Sequence, residues 1–154
     1  MLVLDSSPII YLAKLRLLER LAEIDKYYVA SSVFIEVVEK AKDSTESEYI
    51  RKHLEHRIKN PRTLISEAYG LSKADTDSIS LAKELSCQLI VDEKKGREFS
   101  SMNSIDNHGT VYILFQLLRK GVITKTQFKE YLSRMVSEGF WLSIKVYEEI
   151  LKSV

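Results

Sequence analysis

"LVLD" (residues 2–5) runs directly into "SSPIIYLAKL" (residues 6–15), setting three apolar residues against an aspartate, two serines and a proline before apolar spacing resumes with a different period. Leu2, Val3 and Leu4 form a short run bounded by a turn signal, which reads as a buried strand. Ser7 can cap a helix, and Pro8 suits its first position, where no N–H is needed. Leu12, Leu15, Leu18 and Leu21 then recur at helical spacing, predicting a helix that continues to Ile24. A strand that runs directly into a helix is the repeating unit of an α/β fold.

The unit recurs along the chain. "YYVA" (27–30) reads as a second strand, "SSVFIEVVEKAK" (31–42) as a helix after a serine cap, and 44–59 as an exposed polar helix. "TLIS" (63–66) is a third strand candidate. Ser72 with Asp75 three places on has capping-box spacing, and Leu81, Ala82 and Leu85 continue the helix they start. "QLIV" (88–91) is the clearest strand and ends at Asp92. A helix over "KKGREFSS" (94–101) and a weak strand near 103–106 follow. The remainder is helical: 109–121 between two glycines, a helix after Thr124, and a last one after Ser143. Apolar strands alternating with helices predict a mostly parallel sheet covered on both faces. The expected architecture is one three-layer α/β/α domain over 1–154, with an α/β core to about residue 108 and a helical extension over 109–154.

The 154 residues carry a net charge of +1, so bulk charge argues neither for nor against nucleic acid, and any polyanion site must be local. Cys87 is the single cysteine, which excludes an intrachain disulfide and a thiolate cluster and suits a small buried hydrophobe better than a nucleophile. No basic segment precedes the first apolar run, Asp5 interrupts it, and no run nears the roughly 20 apolar residues of a membrane span. A cytoplasmic location without membrane partners is expected.

Acidic residues fall where an α/β sheet places its ligands, outside the C-terminal strand ends. Asp5 follows the first strand, and Asp92 with Glu93 follows the strand at 88–91. Asp75 and Asp77 lie in the first turns of their helix, and Glu36 sits among Val33, Phe34, Ile35, Val37 and Val38. Each has a plainer reading. Asp75 can be the cap partner of Ser72, Asp77 can favour a helix start, Asp5 and Asp92 can cap the helices that follow, and Glu36 can pair with Lys40 one turn on. Jointly, several carboxylates at one sheet edge repel one another and call for a cation. Oxygen donors suit Mg2+ or Mn2+, which would favour metal-assisted phosphodiester hydrolysis.

The opening stretch resembles the start of PIN-domain proteins, above all the prokaryotic VapC-like toxin ribonuclease subgroup that opens on Asp-Ser-Ser-Pro-Leu-Ile-x-Leu-x-Lys-Leu. "VASSVFIEVVEK" (29–40) resembles that subgroup's "VPxxVxxEVV" segment, and "DTDSISLAKELSCQLIVDEKKGREF" (75–99) its "GEAEAIALAxELxAxLLLIDDxxAR" segment. "GTVYILFQLLRKGVI" (109–123) resembles the following "GTxGVLLxAKxxGxI" helix. The resemblance implies a PIN fold and a metal-dependent ribonuclease, a toxin held by an antitoxin protein. By position it implies Asp5, Glu36, Asp77 and Asp92 as catalytic metal-binding acids, with Glu93 sharing the fourth place. It implies that Ser6 or Ser7 orients Asp5 or contacts phosphate, and that Arg97 matches that segment's arginine. The chain departs from the pattern at Ala74-Asp75, where the subgroup has Gly-Glu, at Asp77, one methylene shorter than glutamate, and at the Asp92-Glu93 pair.

Basic residues cluster at 51–62 and at "KKGR" (94–97); Lys94 and Arg97, next to the acids, are the favoured contacts for single-stranded or structured RNA. His53 and His56 have metal spacing but no clear third ligand, His108 reads as a loop residue, and Trp141 suits core or partner contacts. A homodimer is expected, as PIN relatives commonly pair and the chain is rich in apolar helices. Two other classes compete. A non-catalytic PIN-like module binding nucleic acid or protein need not hold a metal ion. A receiver-like phosphoacceptor would need a lysine ending its last strand, and 106–108 reads Asp-Asn-His.

Overall fold

The structure, a computed structural model, describes residues 1–66 and 70–154. Among the described residues four strands form one parallel sheet in the order β2-β1-β3-β4: β1 (Leu2–Leu4), β2 (Tyr27–Tyr28), β3 (Gln88–Ile90) and β4 (Asn107–His108). Val3 pairs with Tyr28 on one side and Leu89 on the other. The chain leaves β1 for β2, then returns past it to β3. The order therefore reverses between β1 and β3, the crevice where such sheets bind ligands.

Alternation along β1 divides the core. Leu2 and Leu4 face a large cluster with α1 (Ser6–Lys14), α3 (Ser31–Glu39), α4 (Ser44–Leu54), α7 (Thr110–Arg119) and α8 (Lys125–Ser137). Val3 and Leu89 face a smaller one with α5 (Lys73–Leu85) and Phe99 of α6 (Lys94–Met102). Helices thus cover both faces, which is the three-layer α/β arrangement the apolar strands predict. Beyond residue 108 the chain is helical, but α7 and α8 bury Ile113, Leu114, Leu117, Phe128 and Leu132 in the large cluster, so they complete the core. The last helix, α9 (Ile144–Lys152), buries no residue fully, and Trp141 before it is 82% exposed rather than core. Among the described residues no helix is long and apolar enough to cross a membrane.

Several expectations need correction. The first helix starts at Ser6, with Asp5 in the cap position making no side-chain cap bond and Pro8 inside the first turn, where N–H groups lack partners anyway. It ends at Lys14 rather than continuing to Ile24. Leu15 and Leu17 would point about 200° apart on a continuous helix, yet both are buried. A break at Arg16, which takes a left-handed φ of 57°, lets both reach the core before a 3-10 turn (Leu18–Arg20) and α2 (Leu21–Ile24). Residues 63–66 form no strand. The Arg62 and Ile65 N–H groups donate to Glu84 and Ser80 of α5, so side chains satisfy backbone that a ladder would otherwise use. Ile58 instead bridges Val29 beside β2. The strand expected near 103–106 lies at 107–108, because Asn103, Ser104 and Ile105 close the end of α6 through their N–H groups. His108 is therefore a strand residue, stacked on Tyr112 with ring centroids 4.0 Å apart. The helix of 31–42 stops at Glu39, and that of 44–59 at Leu54 before a 3-10 turn (Glu55–Arg57). The capping boxes at Ser72/Asp75 and Thr124/Gln127 form, and Ser143 accepts the Val146 N–H.

Candidate active site

β1 delivers Asp5 to the crevice. Its N–H donates to the Ile90 carbonyl at 3.0 Å, tying it to the end of β3. Its carboxyl is buried, only 4% of the residue being exposed, and Oδ1 accepts the Ser78 hydroxyl at 3.1 Å. Asp75 lies one helical turn before Ser78 on the same face of α5 and comes within hydrogen-bonding reach of Asp5. Burial, and then the neighbouring Asp75 charge, push the Asp5 carboxyl up to about 7. Among the described residues Asp5 forms no ion pair.

The two serines after Asp5 each hold another acid. The Ser6 hydroxyl donates to Glu36 of α3, and the Ser7 hydroxyl donates to Asp92 at 2.9 Å. Glu36 also accepts from Lys40 at 2.7 Å, so its expected i, i+4 pairing forms as well. Burial pulls the Glu36 carboxyl upward, but the hydrogen bonds from Lys40 and Ser6 outweigh it and hold the group below its ordinary range. The Lys40 ammonium is held above its ordinary range, first by its bond to Glu36 and also by the Glu93 and Asp75 charges. Lys40 thus sits where the field of three carboxylates converges.

Asp92 is committed to packing as well. Oδ1 accepts the Thr110 N–H at 2.7 Å, and Oδ2 accepts the Thr110 hydroxyl at 2.7 Å and Ser7 at 2.9 Å. It therefore caps α7, not the α6 that follows it. A Cβ on Gly109 would meet Asp92 Oδ1 at 3.1 Å, so glycine there allows the close approach. Three of roughly four carboxylate acceptor positions are occupied, which leaves one. Glu93 is exposed at the start of α6; Lys94 pairs with Glu98 at 3.8 Å, and Arg97 approaches Gly109 beside Asp92.

Asp77 points elsewhere. It is buried, and it accepts the Ser32 hydroxyl at 2.6 Å and the Lys73 ammonium at 2.9 Å. Two residues on a helix lie about 200° apart, so Asp75 and Asp77 cannot share a face. Asp75, read from its spacing as a cap partner, does both jobs: Oδ2 accepts the Ser72 N–H while the carboxyl lies against Asp5. Two residues of the site, Ser78 and Thr110, were not singled out from the sequence; the i, i+3 spacing of Asp75 and Ser78 was the available signal for the first. Of the remaining candidates, Cys87 is half-buried, with burial pushing its thiol up, and His53 packs edge-on against Tyr49.

The donors at this edge are carboxylate and hydroxyl oxygens, a set that suits a hard divalent cation. A buried carboxyl against a second carboxyl, with no cation on it, is the unfavourable arrangement that such an ion would relieve. Among the described residues no three acidic, imidazole or thiol side chains form a ready ligand cluster. That is compatible with an ion held by one or two carboxylates and its own waters. Grooves of about 480 and 430 Å3 lie elsewhere, around Arg62–Ile65 with Glu84 and around Cys87–Gln88 with Asp106.

A search of curated proteins finds no match. A protein-family model described as a PIN domain matches residues 1–154. PIN domains are generally nucleases that use divalent metals. The match runs through β1, the switch-point acids and the helical C-terminal third alike, and the chain belongs to the PIN-domain family.

Proposed function

We propose that this protein is a Mg2+- or Mn2+-dependent endoribonuclease of the VapC-toxin type, controlled by an antitoxin. The observation that carries the reading is Asp5: a buried carboxyl at the switch point, set against Asp75, with Glu36 drawn in by the serine next to it. Asp5 and Asp75 would hold the ion directly, with Glu36 and either Asp92 or Glu93, as the fourth acid, reaching it through bound waters. The resemblance assigns the third place to Asp77; what favours Asp75 is its approach to Asp5, while Asp77 is already paired with Lys73.

When bound, the ion supplies an activated water and stabilises charge developing on the phosphate. The chain does the positioning. Ser6 and Ser7 fix the directions of Glu36 and Asp92, and the Asp5 backbone is fixed by Ile90. Arg97, exposed beside Asp92, would meet a phosphate oxygen. Pairing of two copies, and an antitoxin as partner, belong to the same proposal. Sedimentation at micromolar concentration tests the dimer, and a monomer alone would count against it.

The decisive experiment is cleavage of single-stranded RNA with Mn2+ by the wild type and Asp5→Asn. Loss of cleavage in the variant supports the reading; equal activity sinks the assigned site. RNA binding with no metal uptake in calorimetry would point to a non-catalytic binding module.

A further inference from the structure

The sheet edge formed by β2 carries a second chemistry. Residues 57–59 run beside β2, with the Val29 N–H donating to the Arg57 carbonyl at 3.0 Å and the Lys59 N–H to the Val29 carbonyl at 2.9 Å. This brings two cations from one segment onto two tyrosines from another. The Arg57 guanidinium lies 4.5 Å from the centroid of the Tyr27 ring. The Lys59 and Lys26 ammonium groups lie 5.2 and 5.5 Å from the centroid of the Tyr28 ring. A hydrogen bond from Lys26, followed by the Lys26, Lys59 and Arg57 charges, holds the Tyr28 phenol below its ordinary range.

These cations lack acidic partners. Among the described residues Lys26, Arg57 and Lys59 form no ion pair, and Arg57 Nε is buried with no hydrogen-bond partner. Like charges gathered around one aromatic ring repel one another unless an anion joins them. Repeated cations with a half-exposed ring between them match a strand that alternates phosphates with flat bases. A duplex keeps its bases stacked, so a ring of this kind serves a single strand.

The patch also leads toward the acids. Tyr28 pairs with Val3, and Asp5 lies two residues further along β1. That places the patch roughly 7 Å back along the strand and about 5 Å across the sheet from Asp5. Asn60, next in the same segment, accepts the Ser31 N–H at 2.9 Å, so the track passes directly to the start of the helix that carries Glu36.

We propose that Lys26, Tyr28, Arg57 and Lys59 form a docking track for single-stranded RNA, upstream of the acidic centre along the sheet edge. The choice of RNA over another polyanion rests on the nuclease reading above. The test uses the full chain in chelator, with a fluorescent single-stranded RNA read by polarisation across a salt series. Lys26→Ala/Lys59→Ala is expected to weaken binding about tenfold and to reduce the slope of log K against log salt by about 1.4, two phosphate contacts' worth. Tyr28→Leu is expected to weaken binding about tenfold with the slope unchanged, the signature of lost stacking. With Mn2+ present, both variants should raise KM while leaving kcat near wild type. Unchanged affinity and slope in variants that melt like wild type would overturn the track, as would a wild type that binds no RNA. Equal competition by polyglutamate would overturn it in favour of an acidic protein partner. Asp5→Asn separates the two readings. If it cleaves like wild type, the nuclease reading fails whatever the patch does; if it is inactive and the patch variants bind normally, only the track fails.

Discussion

Ser78 donates to Asp5 at 3.1 Å, so the face of α5 that also carries Asp75 is the one turned toward the end of β1. Asp77, on another face, is bonded to Ser32 and Lys73. The rotation of α5 thus selects which of two nearby aspartates meets the crevice.

The first prediction separates them. Asp75→Asn should lower Mn2+-dependent RNA cleavage at least about a hundredfold, as expected when transition-state stabilisation of roughly 3 kcal/mol is lost, with little change in melting. Asp77→Asn should retain most activity and destabilise the fold by about 1 kcal/mol, since it weakens the bonds from Ser32 and Lys73. Parallel cleavage assays and thermal melts of both variants decide the matter; the opposite pattern would return the third place to Asp77.

Stability of the metal-free protein should depend on pH through Asp5. Its unfolded value lies near 3.8 and its folded value at about 7, raised by burial and then by Asp75. The folded state therefore holds more protons than the unfolded state between those values. This group's contribution is fully present below pH 4 and is lost as pH rises through 7. In chelator, melting at pH 5 should exceed melting at pH 8 by more in the wild type than in Asp5→Asn. Adding Mn2+ should raise the wild-type melting temperature more at pH 8 than at pH 5.

Asp92 should behave as a structural acid whatever its part in metal binding. Asp92→Ala removes an acceptor from Thr110 and Ser7 and uncaps α7, a loss of about 2–3 kcal/mol. Denaturant unfolding should show it as a lower midpoint at unchanged slope. Asp5→Asn, by contrast, should stabilise the metal-free protein at pH 8, because it removes a buried charge without a cation.

On the metal-centre reading, Lys40 would compete with an ion for the field of Glu36, Glu93 and Asp75. Lys40→Gln should therefore tighten Mn2+ binding a few-fold, a modest gain because the ammonium is largely exposed and screened. Calorimetric titration of the wild type and variant measures it; weaker binding in the variant would show that Lys40 orients Glu36 rather than competes.

How much was legible follows the range of the interactions. Capping at Ser72 and Thr124 was readable because both partners lie within one turn. The strands at 2–4 and 88–90 were readable because they are buried on both faces and carry unbroken apolar runs. Residues 63–66 misled because an apolar, β-branched stretch does not say whether a neighbour will pair with it, and 103–106, Asn-Ser-Ile-Asp, offered a single apolar residue. Side chains of α5 and the end of α6 took those backbone groups instead.

By itself, then, the sequence determined the α/β layering, the parallel sheet and the placing of Asp5 and Asp92 just beyond strand ends. Those follow from local periodicity and from the alternation of apolar segments with caps. Only the tertiary structure decided which acids meet. Ser6 reaches Glu36 across 30 positions and Ser7 reaches Asp92 across 85, and no local pattern encodes either bond. It also decided that Asp75 rather than Asp77 faces Asp5, and that Lys26, Tyr28, Arg57 and Lys59 share one edge. A helix turns about 100° per residue, so its rotation against the sheet chooses among neighbouring side chains, and that rotation is set by packing across the whole core.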